Sequence, residues 1–138
     1  MINKVLISFI LLQLISAAVT AQSAQKIEIF DISKGKVIAG APTSKETQQE
    51  VEKFLEGISG VYVKYNPIPN KGFMIRVPLE PHKMVKNQWF EDLVDEVTII
   101  FSGQEEPYLM VFSDENRPYF LTFEGDTSEL LELIDFKP

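Results

Sequence analysis

Cysteine is missing from this 138-residue chain, and histidine occurs once, at His82. No thiol can act as nucleophile, form a disulfide or take a lipid at a leader cut. A serine triad needs a histidine base, and the only histidine has no Gly-x-Ser-x-Gly elbow to serve. Zinc wants three or four Cys, His or carboxylate ligands, a set that one histidine does not begin. Gly-rich phosphate loops are also lacking. The sequence therefore predicts no cofactor, no metal site and no nucleotide partner. Positive charge is scarce as well: 13 Lys+Arg stand against 20 Asp+Glu, net −7. An acidic chain repels phosphate backbones, so nucleic acid is not expected as a partner.

Long apolar runs are confined to the first residues. Lys4 precedes a stretch over 5–15 interrupted only by Ser8 and Gln13, followed by Ser16-Ala17-Ala18-Val19-Thr20-Ala21. Small residues at the last and third-last positions, Ala21 and Val19, fit a signal-peptidase cut before Gln22. Residues 1–21 thus read as a cleavable signal peptide. The competing reading is an uncleaved anchor, but a spanning helix wants about 20 apolar residues and this run is shorter. No stable membrane span is expected after cleavage. Losing Lys4 leaves 12 basic against 20 acidic residues, a net of −8. Residues 22–138 make one domain's length. Small exported domains often use disulfides; a thiol-free one relies on apolar burial, which suits a bacterial envelope or medium.

The pattern of the remaining chain predicts an α+β fold: a mainly antiparallel sheet of about six to seven strands, one main helix and one or two short helices. Residues 26–32 and 36–39 form a hairpin about Ser33-Lys34-Gly35. Thr43 and Glu46 have capping-box spacing, and Val51, Phe54, Leu55 and Ile58 make one stripe of a helix over 44–56. Residues 61–65 and 73–79 read as strands of a second hairpin whose loop, 66–72, is stiffened by Pro67 and Pro69. Residues 81–87 read as irregular. Asn87 is placed to cap a short helix pairing Trp89 and Phe90 with Leu93 and Val94. Residues 97–101, 108–112 and 119–123 form a meander, and Asp126 with Glu129 caps a last helix carrying Leu130, Leu133 and Ile134.

The meander alternates poorly. Tyr108, Met110 and Phe112 oppose Leu109 and Val111, and Tyr119, Leu121 and Phe123 oppose Phe120, so both faces carry apolar side chains. A half-buried antiparallel sheet should show one polar face. Helix 44–56 is expected to cover one side. The other is covered by the last helix, by the 66–87 segment or by a second layer, or it stays partly open to a partner.

Chemistry-bearing clusters are few. Asp92, Asp95 and Glu96, and Asp114, Glu115 and Asn116, lack the spacing of a calcium loop and read as solvated charge. Aromatics with polar tips suit recognition surfaces. Tyr62, Tyr65, Trp89 and Phe90 flank a middle stretch that also carries Lys64, Lys71, Arg76, Lys83 and Lys86, with Glu80 as its lone acid between 61 and 90. That cationic patch either docks an acidic partner or offsets carboxylates on neighbouring strands. The binding residues expected are Tyr62, Lys64, Tyr65, Arg76, Trp89 and Phe90. The expected function is a small exported, non-catalytic binding domain whose partner is a protein or a cell-envelope polymer. Two alternatives are an inhibitor using loop 66–72, or a small hydrolase built on His82 or a carboxylate pair.

Overall fold

The structure, a computed structural model, describes residues 26–64, 66–103 and 105–138. The leader and Tyr65 lie outside these residues. Seven strands form one sheet in the order β2-β1-β4-β5-β6-β7-β3, every neighbouring pair antiparallel. The strands are β1 (Lys26–Asp31), β2 (Lys36–Pro42), β3 (Ile58–Val61), β4 (Phe73–Lys86), β5 (Glu91–Phe101), β6 (Tyr108–Phe112) and β7 (Pro118–Phe123). A main helix, α1 (Lys45–Glu56), and a short one, α2 (Ser128–Leu133), complete the α+β fold that the sequence predicts.

The first hairpin turns at Gly35, whose φ of +65° favours glycine. Helix α1 starts one residue later than Thr43 implies. Its box is built by Ser44 and Thr47: Thr47 N–H donates to Ser44 Oγ at 3.1 Å, and Ser44 N–H donates to Thr47 Oγ1 at 2.9 Å. The Thr47 hydroxyl fills the place that a Glu or Gln carboxyl takes in the common box. The expected stripe holds for Val51, Phe54 and Leu55, all buried, while Ile58 is buried as the first residue of β3 instead of the helix. The stripe packs on one face of the sheet, against Ile27, Ile75, Ile99, Leu109 and Leu121, each fully buried. Each such side chain contributes about 1.5–3 kcal/mol relative to exposure. Leu130 and Ile134 of the C-terminal turn join the same core, so both helices lie on one side.

Three expectations are corrected. Residues 61–65 and 73–79 are not a hairpin: β3 pairs with β7, while β4 lies between β1 and β5. An extended chain covers about 3.3 Å per residue, so residues 62–72 easily span the roughly 19 Å, four strand spacings, that separate β3 from β4. They cross the face opposite the helices and end at Gly72. There φ is +122°, and a Cβ would collide with the Phe101 carbonyl. Second, no helix follows Asn87. Its Oδ1 accepts the N–H groups of Trp89 and Phe90, as a helix cap would, but its own N–H donates to the Phe90 carbonyl and closes a tight turn. Lys86 then pairs with Glu91, and Leu93 and Val94 belong to β5. Residues 81–86 are consequently strand. β4 loses register between Pro78 and Lys83, where Pro81 has no N–H for the ladder, and then resumes. Third, α2 is preceded by Asp126 Oδ1 accepting the Ser128 N–H at 2.9 Å, without a Glu129 box, and Leu133 faces solvent.

Candidate binding face

Strand alternation leaves a second set of side chains on the side away from α1 and α2. Cross-strand register sorts them into rows. Phe30, Met74, Ile100 and Tyr108 follow one another from β1 to β6; Glu28, Arg76, Thr98, Met110 and Phe120 form the next row from β1 to β7. Phe112 stands opposite Pro118, and Pro78 opposite Glu96. Beyond the β4 irregularity, Met84 faces Leu93, opposite in sense to the buried Val85 and Val94. Met74 and Met110 therefore lie on this face, whereas Met84, past the register break, borders a hollow with Leu55, Glu56 and Ile58. Phe30, Met74, Met110, Phe112 and Phe120 are half-buried, and Met84 is 61% exposed.

Residues 62–72 cover part of it. The Tyr62 ring stacks on Tyr108, with centroids 3.7 Å apart and planes 7° from parallel. The Tyr108 hydroxyl donates to the Pro67 carbonyl. The Tyr62 hydroxyl donates to Glu105 at 2.5 Å, and Lys64 pairs with the same carboxylate. Burial raises the pKa of both phenols; hydrogen bonding to Tyr108 raises that of Tyr62 further. Pro67 and Pro69 turn inward while Asn66, Ile68 and Asn70 turn out, so the segment lies along the sheet as a strap instead of projecting as a wedge. The face is thus covered by part of the 66–87 segment in one region and left half-exposed elsewhere.

Arg76 sits in the middle of the face. Nη1 donates to Glu96 at 2.7 Å and Nη2 to Glu28 at 2.5 Å. Burial alone would lower the pKa of the guanidinium; the two carboxylates outweigh it, and the net direction is upward. Lys83 pairs with Glu56 and Lys86 with Glu91. Lys64, Arg76, Lys83 and Lys86 of the middle stretch thus meet carboxylates, as in the second of the two arrangements considered from sequence.

Of the six residues expected at a binding site, the five that the structure describes do not converge. Tyr62 and Lys64 hold the strap, and Arg76 is central on the open face. Phe90 packs into the helix-side core, edge-on to Tyr119 at 5.1 Å, and Trp89 lies against that core. Met110, Phe112 and Phe120 belong to the meander that the sequence left partly open to a partner, whereas Phe30 and Met74 were not anticipated. The signal for the first three was present, as apolar residues on both parities of β6 and β7. It lacked a reason to prefer one parity over the other.

A cleft of about 900 Å³ opens beside the start of β1, where β4 runs on, lined by Ser44, Gln48, Arg76, His82 and Asp95 among others. The Gln48 carboxamide meets the β4 edge there, donating to the Pro78 carbonyl at 2.7 Å and accepting the Glu80 N–H at 2.9 Å. His82 is exposed on its wall. Elsewhere Asp92 Oδ2 accepts the Asp114 N–H at 2.9 Å. Hydrogen bonds from the Asp114 and Leu93 amides hold Asp92 below the usual carboxylate range, while contact with Asp92 raises Asp114. Asp92 lines a separate hollow beside Trp89, so His82 and this carboxylate pair are not gathered in one cavity. No helix among the described residues is long and apolar enough to cross a membrane. No protein family, no curated protein and no solved structure matches the chain.

Proposed function

We propose that the protein is a small exported, non-catalytic binding domain that receives a segment of a protein partner on the helix-free face of its sheet. The observation that carries this reading is the gathering of Met74 and Met110 with Phe30, Phe112 and Phe120 on that face. Sheets normally bury each apolar face under a second layer, and clustered apolar side chains left at the surface mark interaction sites. Methionine is unbranched and polarizable, so it adapts to apolar protein surfaces. That chemistry favours a protein segment over a wall polymer. Export is supported by the leader pattern of residues 1–21.

Photo-crosslinking from single positions tests this reading in the producing organism. A photoreactive residue at Met110 should give a discrete protein adduct outside the cytoplasm, and one at Gln49 on α1 should not. Adducts from Gln49 alone would remove the face from the function. Adducts from Ile68 alone would return the inhibitor reading, with the strap as its contact.

A further inference from the structure

We infer that the segment received on this face is extended, uncharged and proline-containing, and that it lies beside the strap with its prolines on Met110, Phe112 and Phe120. This rests on reading the face as a docking surface. The strap is an example, within the chain itself, of what the face accepts. Its Asn66-Pro67-Ile68-Pro69-Asn70 stretch turns both prolines inward, and the Tyr108 hydroxyl donates to the Pro67 carbonyl. Proline-rich extended chains have no internal hydrogen bonds. They dock by ring contact with aromatics, and their free carbonyls seek donors. The uncovered part of the face repeats both provisions. Met110, Phe112 and Phe120 are half-buried apolar platforms. Arg76 has five N–H groups, and only Nη1 and Nη2 are engaged, by Glu96 and Glu28. Charge favours a neutral occupant. Lys26 lies over Gly40, the β2 residue paired with Glu28, on the same side of the sheet. Lys26 and Arg76 thus balance Glu28 and Glu96. A charged segment would bring an unmatched charge under cover, a cost that a neutral one avoids.

The dimensions agree. The strap lies on Tyr108, in the row that also holds Phe30, Met74 and Ile100. The row beside it runs from Glu28 through Arg76 and Met110 to Phe120. It is two residues further along the strands, about 7 Å away, which is wide enough for a second extended chain. From β1 to β7 that row spans four strand spacings, about 19 Å, and about six residues of a proline-rich chain cover that length.

The test follows the methionine methyl signals of the purified protein by NMR as synthetic peptides are added. The probe is Asn-Pro-Ile-Pro-Asn-Pro-Ile-Pro-Asn, which repeats the pattern of the strap. A second peptide has alanine for each proline, and a third is an amphipathic helix of Leu and Lys. The proline peptide should shift Met74 and Met110 and leave Met84 unchanged. It should bind about tenfold tighter than the alanine peptide, which is not pre-set in the extended form. A tenfold rise in salt should change its affinity less than about twofold, because no net charge is neutralised. Phe120→Ala should weaken binding about tenfold, whereas Leu133→Ala, at an exposed position on the helix side, should leave it unchanged. Equal binding of the proline and alanine peptides, or preference for the helix, overturns the proline-containing segment and leaves the binding face standing. A steep salt dependence overturns the uncharged occupant in the same way. Silence of Met74 and Met110 toward all three peptides overturns the face as well. These outcomes are read on the unsubstituted protein, so they do not depend on the Phe120 variant folding.

Discussion

Tyr62 lies flat on Tyr108, their ring centroids 3.7 Å apart, and this stack fastens the strap of residues 62–72 to the sheet. Tyr108 is buried and adds a hydrogen bond to the Pro67 carbonyl, while Tyr62 reaches Glu105. The connection between an edge strand and the sheet's interior thereby becomes part of the covering layer. Tyr108→Phe keeps the ring and removes only the hydroxyl, so it should cost about 1 kcal/mol. Tyr62→Ala removes the stack as well and should cost more, about 2 kcal/mol or above. Urea denaturation of both variants measures the difference.

The same pair predicts an alkaline limit. Burial raises both phenols above their ordinary value of 10.0 in the folded state. A raised acid favours the fold in its neutral form. The contribution is complete below about pH 10, the unfolded value, and disappears as pH climbs through the folded values. Tyrosinate absorbance should therefore appear later in the native protein than in the urea-unfolded chain. Tyr108→Phe should shrink that delay.

Gln48 acts as a fragment of strand. Its carboxamide meets one acceptor and one donor of the β4 edge, the Pro78 carbonyl and the Glu80 N–H. Gln48→Ala should destabilise the protein by about 1–2 kcal/mol, and Gln48→Glu should do so too, because a carboxylate cannot donate to the Pro78 carbonyl. Hydrogen exchange at the Glu80 amide should accelerate in the alanine variant.

Export makes its own prediction. N-terminal sequencing of protein from the medium or envelope should begin at Gln22, and Ala21→Tyr should block processing because the cut requires a small residue there. Mature protein that starts at Met1 in the cytosol would remove the extracytoplasmic setting from the proposed function.

Local patterns read well wherever one neighbour decided the conformation. The α1 stripe of Val51, Phe54 and Leu55 and the three meander strands were legible because side-chain period reports which face is buried. Asn87 misled because an Asx cap opens a turn and a helix with the same two hydrogen bonds. The Lys86–Glu91 pairing across the hairpin decides for the turn. Trp89 and Phe90 were expected at a binding surface since an exposed aromatic and a core aromatic have the same sequence appearance.

From its sequence alone, this protein has a leader pattern, a thiol-free acidic domain, one strong amphipathic helix and an antiparallel meander apolar on both faces. Each follows from composition or short-range periodicity. Tertiary structure decided that β3 joins β7 rather than β4, that the chain after β3 crosses the sheet, and that Met74 and Met110 share a face with Arg76, Glu28 and Glu96. Those outcomes depend on strand order, and strand order is fixed by which distant surfaces bury one another, a property that no window of neighbouring residues contains.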